Sequence, residues 1–215
     1  MKKPENPNKK FELVIKDSEL PSLSKEFAEV AVDGIMDDGV LRDLPLVGSL
    51  IGAVKFGNSI NKYLSAKKIY KFLFELHHIP QVQRIKKIDE INDSKKYQSS
   101  VGEMIFELLE RLESDGKPEI IGKLFAAVIT EEIDYRTYLK CAHIIKSMFY
   151  YDLEELKNKY DGKYVIGPVN DGIFNSGLVD VNFAATFDQT KNHHPKKSDT
   201  TLTGLGDVII NIGMK

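Results

Sequence analysis

Through the first 160 residues, apolar side chains return at three- and four-residue steps in one segment after another, and beyond Asp161-Gly162 that rhythm stops. Steps of three and four put side chains on one face of an α-helix, whereas a half-buried strand needs a period of two. A chain patterned this way folds as packed helices, with any sheet confined to its final stretch. Hydrophobic residues are 42% and charged residues 29% of the 215, a balance that supplies a core and argues against wholesale disorder.

The opening decapeptide is polar and carries Pro4 and Pro7. The apolar run Phe11 to Ile15 is interrupted by Glu12 and is too short for the core of a secretory signal. Residues 1–18 are therefore expected to be a flexible arm with at most a short extended piece. Leu20, Leu23, Phe27, Val30, Ala31 and Ile35 predict an amphipathic helix that Ser22 or Ser24 could cap and Asp37-Asp38-Gly39 ends. Pro45 suits the first turn of the next, and its apolar face runs on through Leu64, Ile69, Phe72, Leu73 and Leu76 to His77-His78-Ile79-Pro80. The pattern leaves open whether 45–77 is one helix or two broken near Ser65.

Val82, Ile85, Ile88 and Ile91 predict a short helix with Arg84, Lys86 and Lys87 on its polar side. Val101, Ile105, Leu108, Leu109 and Leu112 predict another, and Ser114-Asp115-Gly116-Lys117-Pro118 reads as a turn. Helices follow around Ile120 to Val128 and Ile133 to Met148, then a short one with Leu153 and Leu156, capped by Asp152. After Asp161-Gly162 a short helix ends at Asn175-Ser176-Gly177, and Val179, Val181 and Phe183 alternate with polar residues as a strand does. Thr200 to Thr203 reads as a returning strand, with Thr203 as cap of a last helix through Val208, Ile209 and Ile210. The expected fold is mainly α: an arm at 1–18, a helical bundle at 19–115, and a winged-helix-like unit with a short β-hairpin at 117–215.

Chemistry is narrowed mostly by exclusion. The single cysteine, Cys141, cannot form an internal disulfide, which favours a reducing compartment and a cytoplasmic protein. No HExxH, CxxC or GxxxxGK motif occurs. The adjacent pairs His77-His78 and His193-His194 lack the i, i+4 spacing of a helical metal clamp. Glu131-Glu132 with Asp134, and Asp37-Asp38, read as helix-end charges favouring a positive dipole terminus. Cys141 and His143, two apart on a helix, face different directions, and Cys141 reads as a small core residue. No catalytic residue, metal or cofactor is expected.

Two features speak to partners instead. Leu44 to Asn61 carries one charge, Lys55, and sets Gly48 four residues before Gly52. Small residues at that spacing let helix backbones approach closely, so Leu46, Val47, Gly48, Leu50, Ile51, Gly52 and Val54 are candidate contacts with a partner helix, a second copy, or a membrane. Lysines 62, 67, 68, 71, 86, 87, 95 and 96 with Arg84 could sit at anionic headgroups, making the protein peripheral at the inner membrane; the alternative is a solvated helix face. Net charge is −2, from 30 basic and 32 acidic residues, so no general basic character points to nucleic acid.

The order helix, helix, short helix, strand, basic loop, strand is that of a winged helix-turn-helix. Ser176-Gly177-Leu178-Val179, with Leu202-Thr203-Gly204-Leu205-Gly206 further on, resembles the phrase that ends the third helix and returns from the wing in winged-helix regulators. Lys191, His193, His194, Lys196 and Lys197 in the loop are the candidate phosphate contacts. The segment Pro168 to Gly177, however, offers Asn170, Asp171 and Asn175 and no Arg or Lys, so a wing used for protein contact is preferred.

The phrases Asp38-Gly39-Val40-Leu41-Arg42-Asp43-Leu44-Pro45-Leu46-Val47-Gly48, Ser65-Ala66-Lys67-Lys68-Ile69-Tyr70-Lys71-Phe72-Leu73 and Gly177-Leu178-Val179 resemble uncharacterised bacterial helical proteins associated with phage defence, and more loosely the Abi-alpha abortive-infection family. The resemblance implies a bacterial, non-enzymatic, defence-related protein. The leading expectation is thus an interaction or effector protein of antiviral defence acting through helix packing. A winged-helix DNA-binding regulator is the alternative, and a membrane-depolarising toxin the third reading.

Overall fold

A computed structural model of the chain describes residues 7–22, 59–94, 96–97, 99–181 and 200–215. It is mainly helical, with a small two-stranded antiparallel sheet. The helices are α1 (Pro7–Ile15), α2 (Ser59–Phe74), α3 (Gln81–Asp93), α4 (Val101–Glu110), α5 (Lys117–Ile129), α6 (Tyr135–Ser147), α7 (Tyr150–Lys159), α8 (Asp171–Asn175) and α9 (Gly204–Val208). The strands are β1 (Val179–Val181) and β2 (Thr200–Leu202). The chain forms two compact units, Met1–Tyr135 and Arg136–Lys215, whereas the sequence suggested a boundary at the Ser114–Pro118 turn.

In the first unit, residues 7–15 form a helix where a flexible arm was expected. Phe11, Val14 and Ile15 fall on one face at helical spacing and are buried, while Leu13 on the other is exposed. Phe11 joins a run of packed rings: its centroid lies 5.8 Å from Phe72 of α2 and 5.7 Å from Phe106 of α4, and Phe72 lies 5.9 Å from Phe125 of α5. The four apolar residues between Phe11 and Ile15 need no core of their own, because α2 and α4 supply it. Helix α2 continues unbroken through Ser65, and its buried face is turned so that Ser65 and Ala66 are inside and Leu64 is exposed.

The start of α4 shows how tertiary contacts finish a helix. Its first N–H groups have no partner within the helix. Val101 N donates to Asn92 Oδ1 (2.9 Å), Gly102 N to Glu12 Oε2 (3.3 Å), and Glu103 N to Ser100 Oγ (3.3 Å). Ser100 is the expected kind of cap; Glu12, 90 residues upstream of Gly102, is not visible as one.

Helix α3 exists where its periodicity put it, yet its buried face differs. Ile88 and Ile91 are buried, Val82 is 75% exposed, and Arg84, expected on the polar side, is fully buried. Its guanidinium donates from Nε to Ile79 O (3.1 Å), from Nη1 to Ile15 O, and from Nη2 to Asp17 O (2.8 Å). Two of those carbonyls lie at and just beyond the end of α1, where a helix leaves acceptors unpaired. Burial lowers the pKa of the group below its ordinary value, and nearby Asp17 works against that shift. Gln81 Nε2 adds a bond to Lys16 O at 2.9 Å. An Arg84→Ala variant strands three carbonyls and leaves a void, so it should lose about 3–5 kcal/mol of stability in denaturant unfolding. Arg84→Lys should recover only part of this, since an ammonium lacks the planar fork; full stability in either variant would refute the assignment.

In the second unit, α6, α7 and α8 precede the hairpin, in which Val179 pairs with Leu202, Asp180 with Thr201, and Val181 with Thr200. Val165 N donates to Thr200 O at 2.9 Å, and Val165 forms an isolated antiparallel bridge with Tyr160. Thr203 caps α9 as its position suggested: Oγ1 accepts from Gly206 N (3.2 Å) and donates to Gly177 O (2.7 Å). Gly177 has φ of +75°, the left-handed turn that ends α8. Gly206 packs so tightly that a Cβ there would stand 2.1 Å from Leu178 O. Past Val208 the chain winds on as a π-helical turn, Ile209–Gly213, burying Ile209 and Ile210. Asp152 is not the cap of α7: Phe149 occupies that position without a side-chain bond, and Asp152 lies in the first turn. A Gly206→Ala variant must move backbone, and its thermal midpoint should fall by an amount corresponding to about 1–3 kcal/mol; an unchanged midpoint would contradict the close approach.

Candidate protein-docking site

Three aromatic residues in a row, Phe149-Tyr150-Tyr151, stand where α6 gives way to α7. Consecutive positions at a helix start point in different directions, so one core cannot take all three. Phe149 is 61% and Tyr151 66% exposed, and their ring centroids lie 5.3 Å apart. Beside them is a cleft of about 390 Å³ lined by Ile144, Met148, Phe149, Asp152, Gly172 and Asn175, among others. Met148 is buried, and Phe174 on α8 is also exposed. The helical periodicity of the sequence drew attention to buried leucines here and passed over Phe149 and Tyr151; the triple aromatic run was the available signal.

Asn170 holds α8 against α7 within this unit. Its Oδ1 accepts from Ile173 N at 2.9 Å, capping α8, while its Nδ2 donates to Asp152 Oδ1 (2.9 Å) and Glu155 Oε2 (3.0 Å). The sequence singled out Asn170 only as one of the polar residues of a segment without Arg or Lys; its amide is engaged on its own unit. Helix α8 has five residues and no Arg or Lys.

A second cavity, of about 340 Å³, lies in the first unit between the end of α3 and the turn after α5. Lys87 bridges Glu90 (3.0 Å) and Glu131 (2.8 Å) across its edge, and Tyr97 meets Tyr135 edge-on at 4.8 Å. The Glu131 bond, against opposing burial, holds Lys87 above its ordinary pKa of 10.5, a protonated donor and not a nucleophile. Burial, with Tyr97 adding to it, raises the Tyr135 phenol above its ordinary 10.0. Glu131 follows the C-terminus of α5 in the left-handed region, φ +64°. Glu131 therefore stands at the negative end of a helix dipole, opposite to its expectation, and the Lys87 ion pair offsets the repulsion, whereas Asp134 immediately precedes α6 at a positive end as expected.

Of the basic run expected as a headgroup-facing surface, Lys95 and the Lys62 side chain lie outside the described residues, Lys86 and Lys96 are exposed, and the rest are engaged within the molecule. Lys67 pairs with Asp115, Lys71 Nζ donates to Asp115 O (2.7 Å), Lys68 Nζ reaches Glu110 O (3.4 Å), and Arg84 is buried. Among the described residues no helix is long and apolar enough to cross a membrane, and no group of three or more His, Cys, Asp or Glu converges on a metal position. His77 Nδ1 bonds the Phe74 carbonyl, and its ring stacks on Phe74 at 4.6 Å. Cys141 is buried, and burial pushes its thiol up to about 11, against a backbone hydrogen bond and Lys140, so it stays protonated at neutral pH; His143 is exposed. The candidate contacts Leu46, Val47, Gly48, Leu50, Ile51, Gly52 and Val54, and the loop residues Lys191, His193, His194, Lys196 and Lys197, lie outside the described residues.

Comparison of the chain with protein-family models, with curated proteins and with solved structures finds no match.

The Lys67 bond, with burial opposing it, lowers Asp115 below the ordinary aspartate value of 3.8. A depressed carboxylate stabilises the fold above its unfolded pKa and ceases to do so as pH falls through the folded one. Wild type should therefore melt higher than Asp115→Asn at neutral pH, and the gap should begin to narrow as pH falls below 3.8 and close only beneath the lower folded value. A gap independent of pH would show that the carboxylate charge is not what binds this turn to α2.

Proposed function

We propose that this chain is a non-enzymatic interaction or effector protein of bacterial antiviral defence, of the abortive-infection kind, and that its second unit is a winged-helix-like module given over to protein contact. The order α6, α7, α8, β1, β2 and the capped Leu202-Thr203-Gly204-Leu205-Gly206 return support the winged-helix reading. The resemblance of three sequence phrases to phage-defence proteins supports the context.

The observation that carries the reading is the exposed, mutually packed Phe149 and Tyr151 beside a preformed cleft. Aromatic side chains of this kind are enriched among residues that dominate binding energy, because a large rigid surface leaves water at little entropic cost. A helix α8 without Arg or Lys favours protein over phosphate as the contacted surface.

The test is phage plating on bacteria that express the chain. Wild type should lower plaque numbers across part of a phage panel, and a Phe149→Ser/Tyr151→Ser double variant should return them to vector level while accumulating normally. Truncating two such anchors costs about 2 kcal/mol or more each, at least about thirtyfold in partner affinity. Plaque numbers equal to empty vector throughout, or full protection by the double variant, would overturn the reading.

A further inference from the structure

We propose that the cleft beside Phe149 takes a short peptide segment in which a large apolar residue neighbours a lysine or arginine; this rests on reading the second unit as a protein-docking module. The cleft, about 390 Å³, is large enough for one or two side chains. Ile144 and buried Met148 give it an apolar lining, and Met148 can reshape around different anchors, as thioethers do. Phe149 supplies the exposed aromatic wall.

The charge preference comes from Asp152. Among the described residues lining the cleft it is the one Asp, Glu, Lys or Arg. Its carboxylate is fixed in place: Asn170 Nδ2 donates to Oδ1 at 2.9 Å, and the backbone at Gly172 lies so near that a Cβ there would stand 2.6 Å from Oδ2. No Lys or Arg among the described residues pairs with Asp152, whereas Glu155 one turn along pairs with Lys159 at 2.5 Å, and Glu131 and Glu119 each hold a lysine of their own. A positioned carboxylate without a cation, at the edge of an apolar lining, is complementary to an ammonium or guanidinium carried beside an apolar anchor, and repels an acidic segment.

The test uses the full chain and a displayed library of random twelve-residue peptides. Selected peptides should place Lys or Arg within two positions of an aromatic or long aliphatic residue. In fluorescence polarisation, Phe149→Ser should abolish their binding and Asp152→Asn, which keeps the shape of the side chain, should weaken it about tenfold, the size of one charge-assisted contact. Panning on Asp152→Lys should turn the selection toward acidic peptides. Peptides that need Phe149 but show no basic preference and ignore Asp152→Asn would overturn this proposal and leave the docking reading standing. A library that yields no Phe149-dependent binder would overturn both.

Discussion

Arg84 places one planar guanidinium against three backbone carbonyls, Ile15 O, Asp17 O and Ile79 O, in a site closed to solvent. A buried cation is costly unless every donor is met and some negative charge lies near. Here carbonyl dipoles meet the donors and Asp17 lies close by. The same geometry solves the opposite problem, since the end of α1 would otherwise bury acceptors with no donor. Much of the first unit follows from that match. With its end held, α1 presents Phe11 to Phe72 and Phe106 and delivers Glu12 to the unpaired N–H of Gly102. A helix of nine residues is too short to persist alone; it persists because its polar end and its apolar face are satisfied together.

The second unit is organised by smaller groups on the same logic. Asn170 caps α8 with its oxygen and holds two carboxylates of α7 with its nitrogen. Thr203 joins Gly177, the turn after α8, to the first turn of α9. These bonds tie together elements of only five, three, three and five residues. A binding surface held in place spends less free energy on ordering when a partner arrives.

Periodicity located several of the described helices. Those around Val101 to Leu112, Ile120 to Val128, and Asp171 to Gly177 stand where apolar spacing and glycine punctuation put them, and Thr203 caps as read. Rotational phase was less legible. In α3 the isoleucines and Val82 defined an apolar stripe, but a buried arginine took a place in the core and left Val82 outside. Hydropathy cannot anticipate this, because the acceptors that make Arg84 tolerable come from α1 and from the turn at Ile79. The lysines of α2 looked like a free basic surface for the same reason: Asp115 and Glu110 are distant in sequence and adjacent in space. The candidate docking site was missed because its exposed aromatics break the periodic pattern on which the reading relied.

Local sequence determined the secondary structure of most described segments after α1, the glycine and threonine at the hairpin return, and a cysteine suited to a core, since each depends on backbone preferences or side-chain size within a few neighbours. Tertiary structure alone decided that α1 is a helix, which face of α3 turns inward, which lysines are engaged, and that Phe149 lines a cleft with Asp152. Those outcomes hang on where donors and acceptors from remote segments meet, and a hydrogen bond or ion pair takes its worth from the partner and the water it excludes, neither of which is written in the residue itself.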